Sequence, residues 1–231
     1  MISEVLCREL FSFAGIEVLE IVIVTASENF AESWNHAASV PYRPLVPGRY
    51  FGSLYRDDVM NGPPEKLEYL LDPESLVTLW VMDTLVCNID RNNEGNMLLK
   101  VGKGKKLGLI AADQSDCFCG SEAMASGEWE GRFLNRPASE CKFAIDAVGL
   151  SGGLSALRRA IRRAEQSLAQ FDAAANEIPG EWWRQSGLDP GRIQRKLNER
   201  VNRLPQILPL EQFPELNLGQ YGDIPIIGGE S

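Results

Sequence analysis

The segment that most constrains this chain is Leu76 to Val86. Leu76, Val77, Leu79, Trp80, Val81, Met82, Leu85 and Val86 leave a helix no polar face. A helix that is apolar all round is buried. Asp72 supplies the N-cap and Pro73 occupies the first helical position. Any fold must therefore wrap a core around this helix. The chain that leaves it, starting at Asn88, begins its path inside the protein.

Two short apolar segments follow, Met97–Val101 and Leu107–Ala112, around Gly102-Lys103-Gly104-Lys105. They read as a hairpin with glycines in the turn. The Gly-x-Gly lacks the following helix that a phosphate loop requires. Upstream, residues 3–13 form a helix with Val5, Leu6, Leu10 and Phe11 on one side, ended by Gly15. Residues 17–25, EVLEIVIVT, are β-branched and read as a strand. Residues 26–62, broken by Pro41, Pro44, Pro47, Gly48 and Gly52, read as irregular. Pro63 and Pro64 open a short helix through Leu71.

The last third reads as helical. Leu154, Leu157, Ile161, Leu168 and Phe171 trace one face of a long helix, with Arg158, Arg159, Arg162 and Arg163 mostly on the other. That run is a solvated face or a patch for phosphate or acidic groups, the former being commoner. Asp189-Pro190 opens a further helix that buries Ile193, Leu197, Val201 and Leu204. The tail from Glu215 is rich in Gly and Pro and reads as flexible.

Composition bounds the function classes. Of 231 residues, 44% are hydrophobic and 24% charged, the balance of a globular protein. The net charge of −9 excludes a general nucleic-acid binder. The longest apolar runs, such as Leu19 to Thr25, fall far short of the roughly 20 residues that span a bilayer. Five cysteines, none in a Cys-x-x-Cys pair, read as free thiols in a reducing cytoplasm. His36 is the only histidine, and nothing around it suggests a triad or a zinc site.

Chemistry concentrates between Asn88 and Phe118, NIDRNNEGNMLLKVGKGKKLGLIAADQSDCF. Phosphoryl transfer needs metal ions on the phosphates, a carboxylate to orient the acceptor, and fixed geometry. Magnesium takes oxygen ligands, so Asp and Asn are the residues to seek. The buried helix leads to Asp90 and Arg91, then Asn96, then the hairpin, and Asp113 closes its second strand. Asp, Asn and Gly are also ordinary loop residues. The order of apolar helix, Asp-Arg loop, Asn, paired strands and second Asp is what raises the signal.

WVMDTLVCNIDRNNEGNMLL and KLGLIAADQSDCF resemble two blocks of the HipA-like kinase family, within a protein-kinase-like and phosphatidylinositol-kinase-like superfamily. SEVLCRELFSFAGIEV resembles the helix and strand of that family's amino-terminal lobe, RYFGSLY a Gly-Ser element there, and IPGEWW its carboxy-terminal helices. The resemblance implies an α+β, protein-kinase-like fold with a mostly helical C-terminal lobe. Residues 1–62 would be a remnant of the N-terminal lobe (helix, strand, irregular connection), 63–214 the helical catalytic lobe and 215–231 a tail. It implies a cytoplasmic transferase that moves the γ-phosphate of ATP to a hydroxyl on a protein or small molecule. An antitoxin-like protein is a further implied partner. Asp90 would orient the acceptor hydroxyl and Arg91 would brace the catalytic loop. Asn96 and Asp113 would bind Mg2+ and so the nucleotide. Asn88 and Asp83 would support the loop, and Glu4 would match the glutamate that pairs with the nucleotide-binding lysine.

Three departures from the family pattern stand out. The glycine-rich loop and the lysine expected ahead of the first helix are absent from the sequence, which reads as a truncated N-terminal lobe. Asn96 lies one residue further from Asp90 than usual, so a bulge absorbs the insertion or Asn93 takes a metal contact. Ala112 and Gln114 replace the usual Ile and His around Asp113. The alternative expectation is a catalytically inactive pseudokinase that serves as a protein-binding module.

Overall fold

The computed structural model describes residues 1–37, 44–62, 67–91, 93, 95–102, 106–130 and 142–208. The architecture is mixed α+β. In chain order the elements are α1 (Ile2–Phe13), β1 (Glu17–Val18), β2 (Ile21–Ala26), α2 (Glu28–Ala37), β3 (Gly48–Ser53), β4 (Val59–Asn61), α3 (Pro73–Val86), β5 (Met97–Val101), β6 (Leu107–Ala111), α4 (Ser121–Ser126), α5 (Lys142–Leu150), α6 (Leu154–Leu168), α7 (Phe171–Asn176), α8 (Gly180–Ser186), α9 (Pro190–Val201) and α10 (Leu204–Ile207).

Helix α3 is the buried axis that its sequence demands. Leu76, Val77, Leu79, Val81, Met82, Leu85 and Val86 are nearly or fully inaccessible. The Asp72 side chain accepts the Glu74 N–H at 3.0 Å, and Pro73 opens the helix. Helix α6 packs along α3. Arg159 grips Glu74 of α3 with contacts of 2.6 and 3.0 Å, and Arg163 adds a contact of 3.2 Å. Two members of the arginine run thus tie helix to helix. The core is continuous from Ile2 in α1 to Leu208 beyond α10.

A four-stranded sheet has the order β1-β6-β5-β4. β5 and β6 form the expected antiparallel hairpin, with Met97 opposite Ala111 and Val101 opposite Leu107. β1 joins the far side of β6 in parallel, Glu17 against Ile110. β2 and β3 pair separately, from Ile21↔Ser53 to Ala26↔Gly48.

Three sequence expectations need correction. The strand expected over 17–25 is two strands in different sheets, separated at Leu19-Glu20. The connection expected to be irregular over 26–62 contains α2, β3 and β4. Gly48 and Gly52 lie within β3, and Gly52 packs against the side chains of Val22 and Val24. The long helix expected to reach Phe171 stops at Leu168, and α7 starts after a break at Ala169-Gln170. Of the helix expected from Pro63 to Leu71, a 3-10 turn at Leu67–Tyr69 is present, and residues 63–66 lie outside the described residues. The tip of the Gly102–Lys105 turn and the tail from Glu215 also lie outside them. Among the described residues, no helix is long and apolar enough to cross a membrane.

Candidate functional site

The loop that leaves α3 is fixed from below. Cys87 takes a left-handed conformation, φ 54°, and turns the chain off the helix axis. The Asn88 amide then reaches in both directions. Its Nδ2 donates to Asp83 Oδ1 at 2.9 Å, and its Oδ1 accepts the Asp90 N–H at 3.0 Å. Arg91 is buried and forks onto Asp83, Nε to Oδ2 at 2.9 Å and Nη2 to Oδ1 at 3.1 Å. Its Nη1 donates to the Ala112 carbonyl at 2.6 Å and to the Asn96 carbonyl. Phe11 lies beneath the guanidinium, 5.9 Å from its ring centroid. Such a bidentate pair with its remaining protons satisfied holds geometry more than it adds stability. Arg91 therefore binds the start of the loop to both strands of the hairpin.

Above this bracket sit the polar residues singled out by the sequence. Asn96 Nδ2 donates to the Asp90 carbonyl at 2.8 Å and to Asp90 Oδ2 at 2.7 Å. Asn93 Nδ2 donates to Asp90 Oδ1. Asn93 and Asn96 thus both donate to the Asp90 carboxylate. The hairpin register places Asn96 opposite Ala112, whose N–H donates to the Asn96 carbonyl at 3.1 Å. Asp113 follows directly.

Asp113 is exposed and adopts φ 48°, a region disfavoured for residues other than Gly, Asn and Asp. Its Oδ1 accepts the Ser115 N–H at 3.1 Å and the Ser115 hydroxyl at 2.6 Å, which closes a tight turn. The first turn of α1 seals that turn from the other side. Ser3 donates to the Ser115 carbonyl at 3.1 Å, and the Glu4 carboxylate faces the Gln114 N–H.

Glu4 and Gln114 are buried, yet Glu4 Oε2 and Gln114 Nε2 have no hydrogen-bond partner among the described residues. Burial, and after it the charge of Asp113, push the Glu4 carboxyl up to about 7. Orphaned buried polar atoms are costly, and they are tolerated where something else is meant to meet them.

These residues share one cavity of about 530 Å³. Glu4, Arg8, Asn96, Asp113, Gln114 and Ser115 give its polar wall, and Leu19, Ile21 and Phe51 are among its apolar lining. The structure thus brings Glu4, Asn96 and Asp113 to one space and sets Asp90 beside it through Asn96. Arg91 stays below it. Sequence reasoning missed Arg8, although it stands one helical turn beyond Glu4, where side chains share a face. Gln114 was legible only as a replaced histidine. Its burial depends on α1, which lies far away in sequence. Phe118 is buried with its ring edge-on to Trp129, 4.8 Å between centroids.

The donor set can hold a hard cation. Asn96 and Asp113 offer amide and carboxylate oxygens on one wall, and Mg2+ needs only one or two protein oxygens beside water and phosphate. Among the described residues no cluster of three His, Cys, Asp or Glu forms a metal cage of the protein's own. Comparison with family models, curated proteins and solved structures gives no match.

Proposed function

We propose that the cavity is the active site of a HipA-like kinase core, which transfers the γ-phosphate of ATP to a hydroxyl. The observation that carries this reading is the convergence of Glu4, Asn96 and Asp113 on one cavity, with Asp90 bonded to Asn96 at 2.7 Å. Asn96 and Asp113 would hold Mg2+, which supplies charge neutralisation to the phosphates. Asp90 orients the acceptor hydroxyl, and Asn93 and Asn96 fix the rotation of its carboxylate. Arg91 keeps the loop in register with the strand that ends at Asp113. No lysine lines the cavity among the described residues, and Arg8 is the guanidinium on its wall. Arg8 is therefore the side chain to meet phosphate oxygens.

A second reading has its own support. Both Asp90 oxygens accept amide protons from their own loop, and Asp113 Oδ1 is engaged by Ser115. Carboxylates held this way also suit a pseudokinase that presents the loop as a protein-binding surface. Asp113→Ala separates site from no site: magnesium-dependent ATP binding, followed by calorimetry, should weaken at least tenfold. Equal behaviour of variant and parent would end the nucleotide reading. Asp90→Asn separates the two proposals. An active kinase loses on the order of a hundredfold or more in phosphate transfer, whereas a pseudokinase shows no transfer to lose.

A further inference from the structure

The described residues contain two cysteine pairs that behave differently. Cys7 and Cys117 are fully inaccessible and hydrogen-bond to each other, and burial pushes the Cys117 thiol well up from its ordinary value. Such thiols are inert. Cys87 and Cys119 lie nearer the surface. Cys87 is 6% exposed and Cys119 is half-buried, and their Sγ atoms are in direct contact. Their main chains are already joined, the Cys119 N–H donating to the Cys87 carbonyl at 3.0 Å. Both residues hold positive φ, 54° and 59°, so two sharp turns bring together side chains that are 32 residues apart in sequence. Arg200 is buried beside the end of α3, donating to the Leu85 carbonyl at 2.6 Å and to the Thr84 carbonyl at 2.9 Å.

We propose that Cys87 and Cys119 form a thiol–disulfide exchange site that reacts with small-molecule disulfides of the glutathione type and closes into an intramolecular bridge. Cys119, the more accessible thiol, releases its proton to water and attacks one sulfur of the small disulfide. The S–S bond of that disulfide breaks, one small thiol leaves, and a mixed disulfide remains on Cys119. Cys87 then loses its proton and attacks the Cys119 sulfur, which expels the second small thiol. Two protein thiols are oxidised and one small disulfide is reduced to two thiols. Cys87 is the residue that turns the chain out of α3, and Asn88 beside it anchors Asp90. Cys119 ends the 3-10 turn Cys117–Cys119, six residues past Asp113. The bridge therefore fastens both approaches to the cavity to each other. The exchange chemistry is the same whatever the cavity binds.

The test is to incubate the full chain, natively folded, with oxidised glutathione. Intact mass and fragmentation of cross-linked peptides are then read without reduction. The parent should lose two hydrogens through a Cys87–Cys119 bridge and keep no adduct. Cys87→Ser should retain one stable glutathione on Cys119, and Cys119→Ser should form no bridge and no adduct at Cys87. Cys87→Ala repeats the test should the serine variant unfold, and circular dichroism reports folding of each variant. Amide exchange over residues 88–91 should slow in the bridged protein. A bridge that includes Cys7, Cys117 or Cys141 overturns the proposal. So does a stable adduct on Cys119 of the parent, or a native protein that stays unreacted while the unfolded chain reacts.

Discussion

The Asp83–Asn88–Arg91 floor, which lies beneath the cavity and does not line it, and the cavity's polar wall obey opposite rules. In the floor, Asp83, Asn88 and Arg91 satisfy one another and the nearby carbonyls, with four bonds from the guanidinium alone. In the wall, Glu4 and Gln114 are as deeply buried, yet each keeps a polar atom with no partner. The floor is a finished network whose product is geometry. The wall is an unfinished one, with two buried polar atoms that meet nothing among the described residues. Burial of a polar residue therefore says little about its role until its hydrogen bonds have been traced one by one.

The largest effect should come from breaking the floor. Arg91→Met leaves the Asp83 charge buried without a cation, held only by the Asn88 amide, and should cost about 3 kcal/mol in urea unfolding. Adding Asp83→Asn should recover part of that loss. If the single variant unfolds like the parent, the floor is not a scaffold.

The wall predicts an effect of the opposite sign. The Glu4 carboxyl is raised from its ordinary 4.5 to about 7 in the folded protein. A raised carboxyl binds its proton more tightly when folded. The ionised form therefore brings a penalty that is absent below about pH 4.5, builds between 4.5 and 7, and is complete above that. Glu4→Gln removes the penalty and should stabilise the ligand-free protein by about 2 kcal/mol near pH 8, since proton binding that differs between the folded and unfolded chain makes stability depend on pH. Near pH 4 the two proteins should unfold alike. A variant less stable than the parent near pH 8 would show that the Glu4 carboxylate is satisfied and that the contrast with the floor is false.

The smallest effect tests the helix that supports both. Asp72→Ala removes the α3 cap and should cost about 1 kcal/mol in thermal unfolding, with the same loss near pH 8 and pH 6. A loss that varied across that range would tie the cap to the wall's titration.

Legibility in the sequence followed the distance over which each feature is determined. Helix α3 was legible because its apolar residues leave no polar face and Asp72-Pro73 marks its start. The β5–β6 hairpin was legible because its strands are neighbours in sequence, and that local register alone sets Asn96 beside Ala112 and Asp113. β3 was hidden because GRYFGS carries turn residues, and only pairing with β2 makes it a strand. Helix α2, ENFAESWNHA, was hidden because it buries only Ala31 and leaves Phe30 and Trp34 exposed, so little of its pattern is tied to a core. The contribution of α1 to the cavity was the least legible. Ser3 meets Ser115 across 112 residues, and no local pattern announces such a contact. Glu4 entered the site through a family resemblance, whereas Arg8 and the Gln114 amide emerged from tertiary packing.

The parallel edge between β1 and β6 has a consequence in time. The α3 helix and the β5–β6 hairpin can form from neighbouring residues. β1 reaches β6 only after a long loop closes, and a parallel pair cannot be made by a tight turn. Contacts of that kind form late and slow folding. The cavity has one wall on α1 and the other on the hairpin, so it comes into being only at that step. The turn from Asn88 to Arg91 can therefore take shape before the cavity exists. Ligand added to a refolding reaction should therefore act on the final docking of α1 and leave the earlier steps unchanged.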